Sequence, residues 1–181
     1  MGDRQRIARA SFFEALEAVL EVWLSNRVGV KAGPMMSEQG AFRATDETLR
    51  TSEYVYRQLA GYKLSHMLLM RQMADLTGTP IEHTSGDAVV HHFRRLYTGT
   101  LILNVGISAI HGARLIAEGA GDLVAFGRDY IANPDLAERI RLGAPLNEPR
   151  PEYFYGNSAA GYTDYPALPQ SQLIQDRSNA K

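Results

Sequence analysis

The run TLILNVGISAIHGARLIAEG, residues 100–119, is followed almost at once by DLVAFGRDYIANPDLAERIRLG, residues 122–143. Each opens as a short apolar stretch of strand character, reaches a glycine and passes into a helical pattern. Gly106 closes the first strand; Gly127, with Arg128 after it, closes the second. Two such units in tandem point to parallel strands joined by crossover helices, because a tight turn cannot reach a parallel neighbour. The glycines also have a chemical reading. Glycine lets backbone N–H groups approach an anion, a helix N-terminus favours negative charge, and Arg128 offers a planar fork suited to phosphate. The structural alternative is two ordinary glycines in tight βα turns.

The same alternation extends toward the N-terminus. An amphipathic helix over about 4–25 places Ile7, Phe12, Leu16, Val19 and Trp23 on one face. RVGVK at 27–31 reads as a strand, and a polar loop with Gly33-Pro34 and Gly40 follows it. Thr45 then caps a helix that runs to about Leu59, with Gly61 as its stop. LSHMLLM at 64–70 is the next strand and 87–97 the next helix. Ser108 caps the helix that ends near Gly119. Asn133-Pro134-Asp135 starts the last one, with proline at its first position and Gly143 as terminator. Residues 145–181 read as an irregular tail rich in Pro, Tyr and Asn. The order is one helix and then four βα units. That fits a small open doubly wound sheet or half of a (β/α)₈ barrel, since a full barrel needs about 250 residues.

Composition narrows the function. The chain has 181 residues, 45% of them hydrophobic, with a net charge of -1 and no cysteine. Its longest basic run is Arg94-Arg95, so nothing predicts nucleic-acid or anionic-membrane binding. Thiolate metal sites and thiol nucleophiles are excluded. The N-terminus lacks a signal-peptide pattern, and Arg6 stands where myristoylation wants Ser or Thr, so a cytoplasmic location is expected. Of the five histidines, the adjacent pair His91-His92 would point in two directions from a helix. His66 lies mid-strand with no carboxylate placed to orient it. No zinc motif, P-loop, GxSxG or Rossmann GxGxxG occurs. The tail YFYGNSAAGYTDYPAL at 153–168 carries four tyrosines, which could pin the tail or line an aromatic pocket.

LILNVG, DLVAFGRDYIANPDLAERIRLGAPLN and FYGNSAAGYTDYPAL, in that order, resemble the second half of the old yellow enzymes. RVGVKAGP and LSHMLLMR fall where that family has its fifth and sixth strands. These are FMN-dependent (β/α)₈-barrel oxidoreductases, many of them ene reductases driven by NADPH or NADH. The resemblance implies an α/β fold, the (βα)₄ half of a TIM barrel, over residues 1–168, with 169–181 a polar, flexible tail. It implies that the backbone at Val105 and Gly106, together with Gly127 and Arg128, holds the FMN phosphate. Lys31 stands where the family usually has an arginine at the flavin pyrimidine edge, and Tyr155 would approach the mouth of the substrate pocket. Val105 replaces a common glycine and is expected to serve if its position does not require positive φ.

In the family the first four strands carry the His-His or His-Asn pair that binds the substrate and the tyrosine that donates a proton. No segment here corresponds to them. The resemblance therefore implies a chain inactive alone, completed by a homo-oligomer or by a partner chain supplying strands one to four. The sheet residues expected to face that partner are Val30, Leu68, Ile102 and Val124. The other possibilities are a non-catalytic FMN- or phosphate-binding remnant and an oligomerising structural half-barrel.

Overall fold

The computed structural model describes residues 3–34, 44–71, 75–156 and 158–169, without the side chains of 3–10. Gly40, the side chain of Ile7 and the end of the tail from 170 lie outside the described residues. The chain forms two compact units, one up to Ala125 and one from Phe126.

The first unit runs α1 (Asp3–Leu20), β1 (Gly29–Ala32), α2 (Asp46–Leu59), β2 (His66–Met70), α3 (Ala88–Arg94), β3 (Leu101–Asn104), α4 (Ala109–Ala117) and β4 (Leu123–Val124). All neighbouring strands are parallel, and they lie side by side in chain order, β1-β2-β3-β4. That order decides between the two architectures. A doubly wound sheet reverses its strand order at a switch point and carries helices on both faces. Strands in sequential order, joined by crossovers of one hand, put every helix on the same face. The sheet is a segment of a (β/α)₈ barrel.

Burial alternates accordingly. Met67, Leu69, Leu101 and Leu103 are fully buried and share one core with Leu49, Tyr56 and Leu59 of α2, Val89, Val90 and Phe93 of α3, and Leu115 of α4. His66, Leu68, Met70, Ile102 and Asn104 alternate with them on the opposite face and are only half-buried. The register corrects half of the expected open-face set. Val30 pairs with Met67, and Val124 with Leu103, so both valines belong to the helix side and pack on its core. Only Leu68 and Ile102 stand on the open face, joined there by Lys31, which pairs with Leu68.

Local signals account for most element ends. The Thr45 hydroxyl accepts the Thr48 N–H at 3.3 Å, and the Thr48 hydroxyl accepts the Thr45 N–H at 3.2 Å, closing a capping box on α2. The Ser108 hydroxyl accepts the His111 N–H at 3.2 Å, and Gly119 leaves α4 with φ of 73°. The Asp122 carboxylate accepts the Leu101 N–H at 2.8 Å and an Arg94 N–H at 3.0 Å, which seats the start of β4. Gly61 is not the stop of α2. The helix passes into a 3₁₀ turn over Ala60–Tyr62, and Lys63 takes the left-handed conformation, with φ of 52°. The first helix ends at Leu20, earlier than expected. Leu16 reaches the core and Phe12 packs against it, whereas Val19 and Trp23 are exposed.

In the second unit the expected single helix from Asn133 is two: α5 (Arg128–Ala132) and α6 (Leu136–Leu142). Pro134 lies in the turn between them and not at a first helical position. Gly143 ends α6 with φ of 61°, as expected.

The two faces of the sheet should differ in what they contribute. Leu103→Ala opens a cavity in a closed core and should cost about 3 kcal/mol in urea denaturation followed by circular dichroism. Leu68→Ala, on the open face, should cost less than about half of that. Equal losses would show the face assignment to be wrong.

Candidate functional site

The turn between β3 and α4 is shaped by one side chain from the end of β2. The Arg71 backbone N–H donates to the Asn104 carbonyl at 2.9 Å, continuing the β2–β3 ladder by one residue. Its Nε donates to the Val105 carbonyl at 3.2 Å, and its Nη2 to the Gly106 carbonyl at 2.8 Å. Three consecutive carbonyls are thus held by one residue. Among the described residues, no protein acceptor takes the N–H groups of Gly106 or Ile107. Both residues of the turn are left-handed: φ is 76° at Val105 and 64° at Gly106. The condition attached to Val105 is therefore not met. The position does require positive φ, and a β-branched residue occupies it at a steric cost.

Arg71 is held in turn by Asp87. Its Nη1 donates to Asp87 Oδ1 at 2.8 Å, while Asp87 Oδ2 takes His111 Nε2 and Arg114 Nη2, each at 2.8 Å. Burial pushes the Asp87 carboxyl up, but the His111 hydrogen bond and the charges of His111 and Arg71 outweigh it, and its pKa lies below the ordinary value. This cluster is not legible in the sequence, because Arg71, His111 and Arg114 lie 16 to 27 residues from Asp87 with no local pattern.

Elsewhere on the open face, the His66 ring lies over Gly29. A Cβ on that glycine would come within 2.3 Å of it. His66 Nδ1 is 2.7 Å from the Ser65 hydroxyl, so its orienting partner is a serine. Lys31 is exposed and makes no ion pair among the described residues. His91 and His92 do diverge: His92 Nε2 is 2.7 Å from Glu53, and His91 Nε2 is 3.4 Å from Glu118. Among the described residues no three His, Asp or Glu side chains converge as a metal site.

In the second unit Gly127 precedes α5, with φ of -102°. Its glycine is not a conformational necessity; a Cβ there would meet only open space. Arg128 is exposed and has no hydrogen bond or ion pair among the described residues. The motif around it is largely a clip for the tail. Arg139, 5% exposed, donates to Asp135 Oδ1 at 2.7 Å, to the Pro145 carbonyl at 2.5 Å and to the Pro166 carbonyl at 2.8 Å. Asp135 Oδ2 accepts the Leu168 N–H at 2.6 Å, and buried Asn133 accepts the Asn147 N–H at 2.7 Å. Burial pushes the Asp135 carboxyl up, and the bonds from Arg139 and Leu168 more than reverse this, leaving its pKa lowered. Asp87 and Asp135 therefore stabilise the fold above the ordinary carboxylate pKa, and lose that contribution as pH falls through their lowered values.

The tail tyrosines divide between the two roles considered for them. Tyr153 and Tyr165 flank the Arg150 guanidinium, at 5.1 and 4.6 Å from the ring centroids, and the Tyr165 hydroxyl accepts the Arg150 backbone N–H at 2.8 Å. Tyr162 and Tyr165 also line an open groove of about 300 Å³ with Tyr130, Ile131, Pro134 and Thr163. Tyr155 takes part in neither and is 98% exposed.

No family model matches the chain. It is 33% identical over 164 residues to a putative 12-oxophytodienoate reductase 3 of Oryza sativa subsp. japonica, covering 88% of this chain and 41% of that protein. It is 32% identical over 156 residues to a probable flavin mononucleotide-dependent alkene reductase of Leishmania infantum, covering 86% and 40%. The solved old yellow enzyme of Trypanosoma cruzi superposes with a TM-score of 0.76 at 31% identity, over 89% of this chain and 40% of that one. The chain thus spans about 40% of the length of the relatives it matches, within their C-terminal half.

The strain at Val105 generates a direct test. Removing its Cβ relieves about 1–2 kcal/mol of left-handed clash, against about 0.5–1 kcal/mol of added chain entropy for glycine. Val105→Gly should therefore raise unfolding stability by up to about 1 kcal/mol, whereas Val105→Ala, which keeps a Cβ, should not. A destabilised glycine variant in urea melts would contradict the strain.

Proposed function

We propose that this chain, homologous over most of its length to FMN-dependent alkene reductases, binds FMN chiefly through its phosphate and forms the flavin-phosphate half of an alkene-reductase barrel. The observation that carries the reading is the strand-end chemistry. Among the described residues, the Gly106 and Ile107 N–H groups have no protein acceptor, there is open space over Gly127, and Arg128 makes no ion pair. In this reading the backbone at Val105 and Gly106 and that at Gly127 supply N–H donors to the phosphate, and Arg128 a bidentate guanidinium. Lys31, on the open face, carries positive charge toward the pyrimidine edge of the flavin. It keeps the charge of an arginine without its planar fork. Tyr155, fully exposed, stands at the substrate entrance. When bound, FMN would supply the redox chemistry, with NADPH or NADH as reductant. Residues 1–168 act as the flavin-phosphate half, and a partner chain or a second copy supplies the remaining strands. A non-catalytic FMN- or phosphate-binding role is the second reading, favoured by the strained valine in the cradle.

Flavin titrations test the phosphate assignment. FMN should bind more tightly than riboflavin, which lacks the phosphate. Arg128→Ala should remove most of that difference, since a guanidinium–phosphate contact is worth about 1.5–3 kcal/mol. Lys31→Ala should weaken both flavins alike. Equal affinity of FMN and riboflavin for the wild type, read by fluorescence quenching, would return the paired glycines to ordinary turn residues.

The resemblance assigns substrate activation and proton donation to strands that this chain does not align with. Each such contribution is typically worth orders of magnitude in rate. The 181-residue polypeptide alone should therefore show no NADPH-dependent reduction of cyclohexenone above a buffer blank, even with FMN added. Clear turnover by homogeneous protein would refute this.

A further inference from the structure

We infer that Arg71 is the positioning residue of the phosphate cradle, turning the N–H groups of Gly106 and Ile107 toward the anion without touching it. The inference rests on the reading that this turn holds the FMN phosphate. A trans peptide unit is planar, with its C=O and N–H pointing in opposite directions. A donor that captures the Val105 carbonyl therefore aims the Gly106 N–H away from itself. One that captures the Gly106 carbonyl does the same for the Ile107 N–H. Arg71 does both through Nε and Nη2, two parallel donors on one edge of a rigid plane. Its own backbone N–H takes the Asn104 carbonyl just before them, so the turn is gripped at three successive peptide units.

This grip also accounts for the survival of left-handed Val105, since a strained conformation persists only where its surroundings over-determine it. The role is geometric and not Coulombic. The Arg71 side chain is only 12% exposed, and its third donor engages Asp87, a carboxylate shared with His111 and Arg114. The charge is balanced behind the turn, and what reaches the front is the direction of two peptide dipoles. Lysine keeps the charge but has no planar edge with which to hold two carbonyls at once.

Arg71→Lys therefore separates the two roles. Flavin titrations of the full chain should show FMN affinity falling by about tenfold or more, toward that of riboflavin, while riboflavin affinity stays within about twofold. A merely structural role would weaken both flavins together, and a charge role would be rescued by lysine. Either result overturns the inference. Failure of the wild type to prefer FMN over riboflavin would instead overturn the phosphate reading, and this inference with it. A second measurement avoids dependence on how the variant folds. In ¹⁵N-labelled wild-type protein titrated with inorganic phosphate, the Gly106 and Ile107 amide signals should shift together and saturably. If they stay still while FMN retains its advantage over riboflavin, the phosphate lies elsewhere and Arg71 has no part in placing it.

Discussion

Parallel strands laid down in chain order impose the constraint from which the rest follows. Each neighbour must be reached by a crossover, every crossover has the same hand, and the helices accumulate on one face. That face of the sheet closes into a core in which Met67, Leu69, Leu101 and Leu103 lose all contact with solvent. The other face, with Lys31, His66, Leu68 and Ile102, stays half-open or exposed. The same winding puts the C-terminal ends of the strands at one edge, where Arg71 meets the Val105–Gly106 turn, while Lys31 stands further back on the open face, level with Leu68. Chemistry at that edge requires no further folding device; loop residues alone set it.

How much of this could be read beforehand depended on range. Capping and termination at Thr45, Ser108, Gly119 and Gly143 were legible because each is decided within about one helical turn. The strand count and the helix alternation were legible from apolar runs. The faces of β1 and β4 were not. Those strands have four and two residues, and a one-residue change of register exchanges the faces. Only pairing with the longer β2 and β3 shows that Val30 and Val124 look toward the helices. The left-handed state of Val105 was equally hidden, since it depends on a side chain 34 residues earlier. For the site, Gly106, Gly127 and Arg128 were legible as an anion pattern at paired strand ends, Lys31, Val105 and Tyr155 came from a family likeness, and neither Arg71 nor Asp87 stood out in either.

The most specific stretch of sequence, 122–147, carries more architecture than chemistry. Asn133, Asp135, Arg139 and Asn147 spend their hydrogen bonds on one another and on the tail. The phosphate role proposed for this stretch rests on its first turn alone, at Gly127 and Arg128. A stretch of sequence can thus be distinctive mainly through side chains that hold the backbone together.

The clip made by Arg139 has an entropic side. It joins residue 139 to 145 and 166, while Asp135 joins to Leu168 and Asn133 to Asn147. None of these ties spans more than 33 residues. Closing loops of that size is cheap, because each doubling of length adds only about 0.6 kcal/mol. The strand pairs of the sheet span similar separations, Val30 to Met67 and Ile102 to Leu123 among them, so the clip holds the tail at no more cost in chain entropy than one crossover of the sheet.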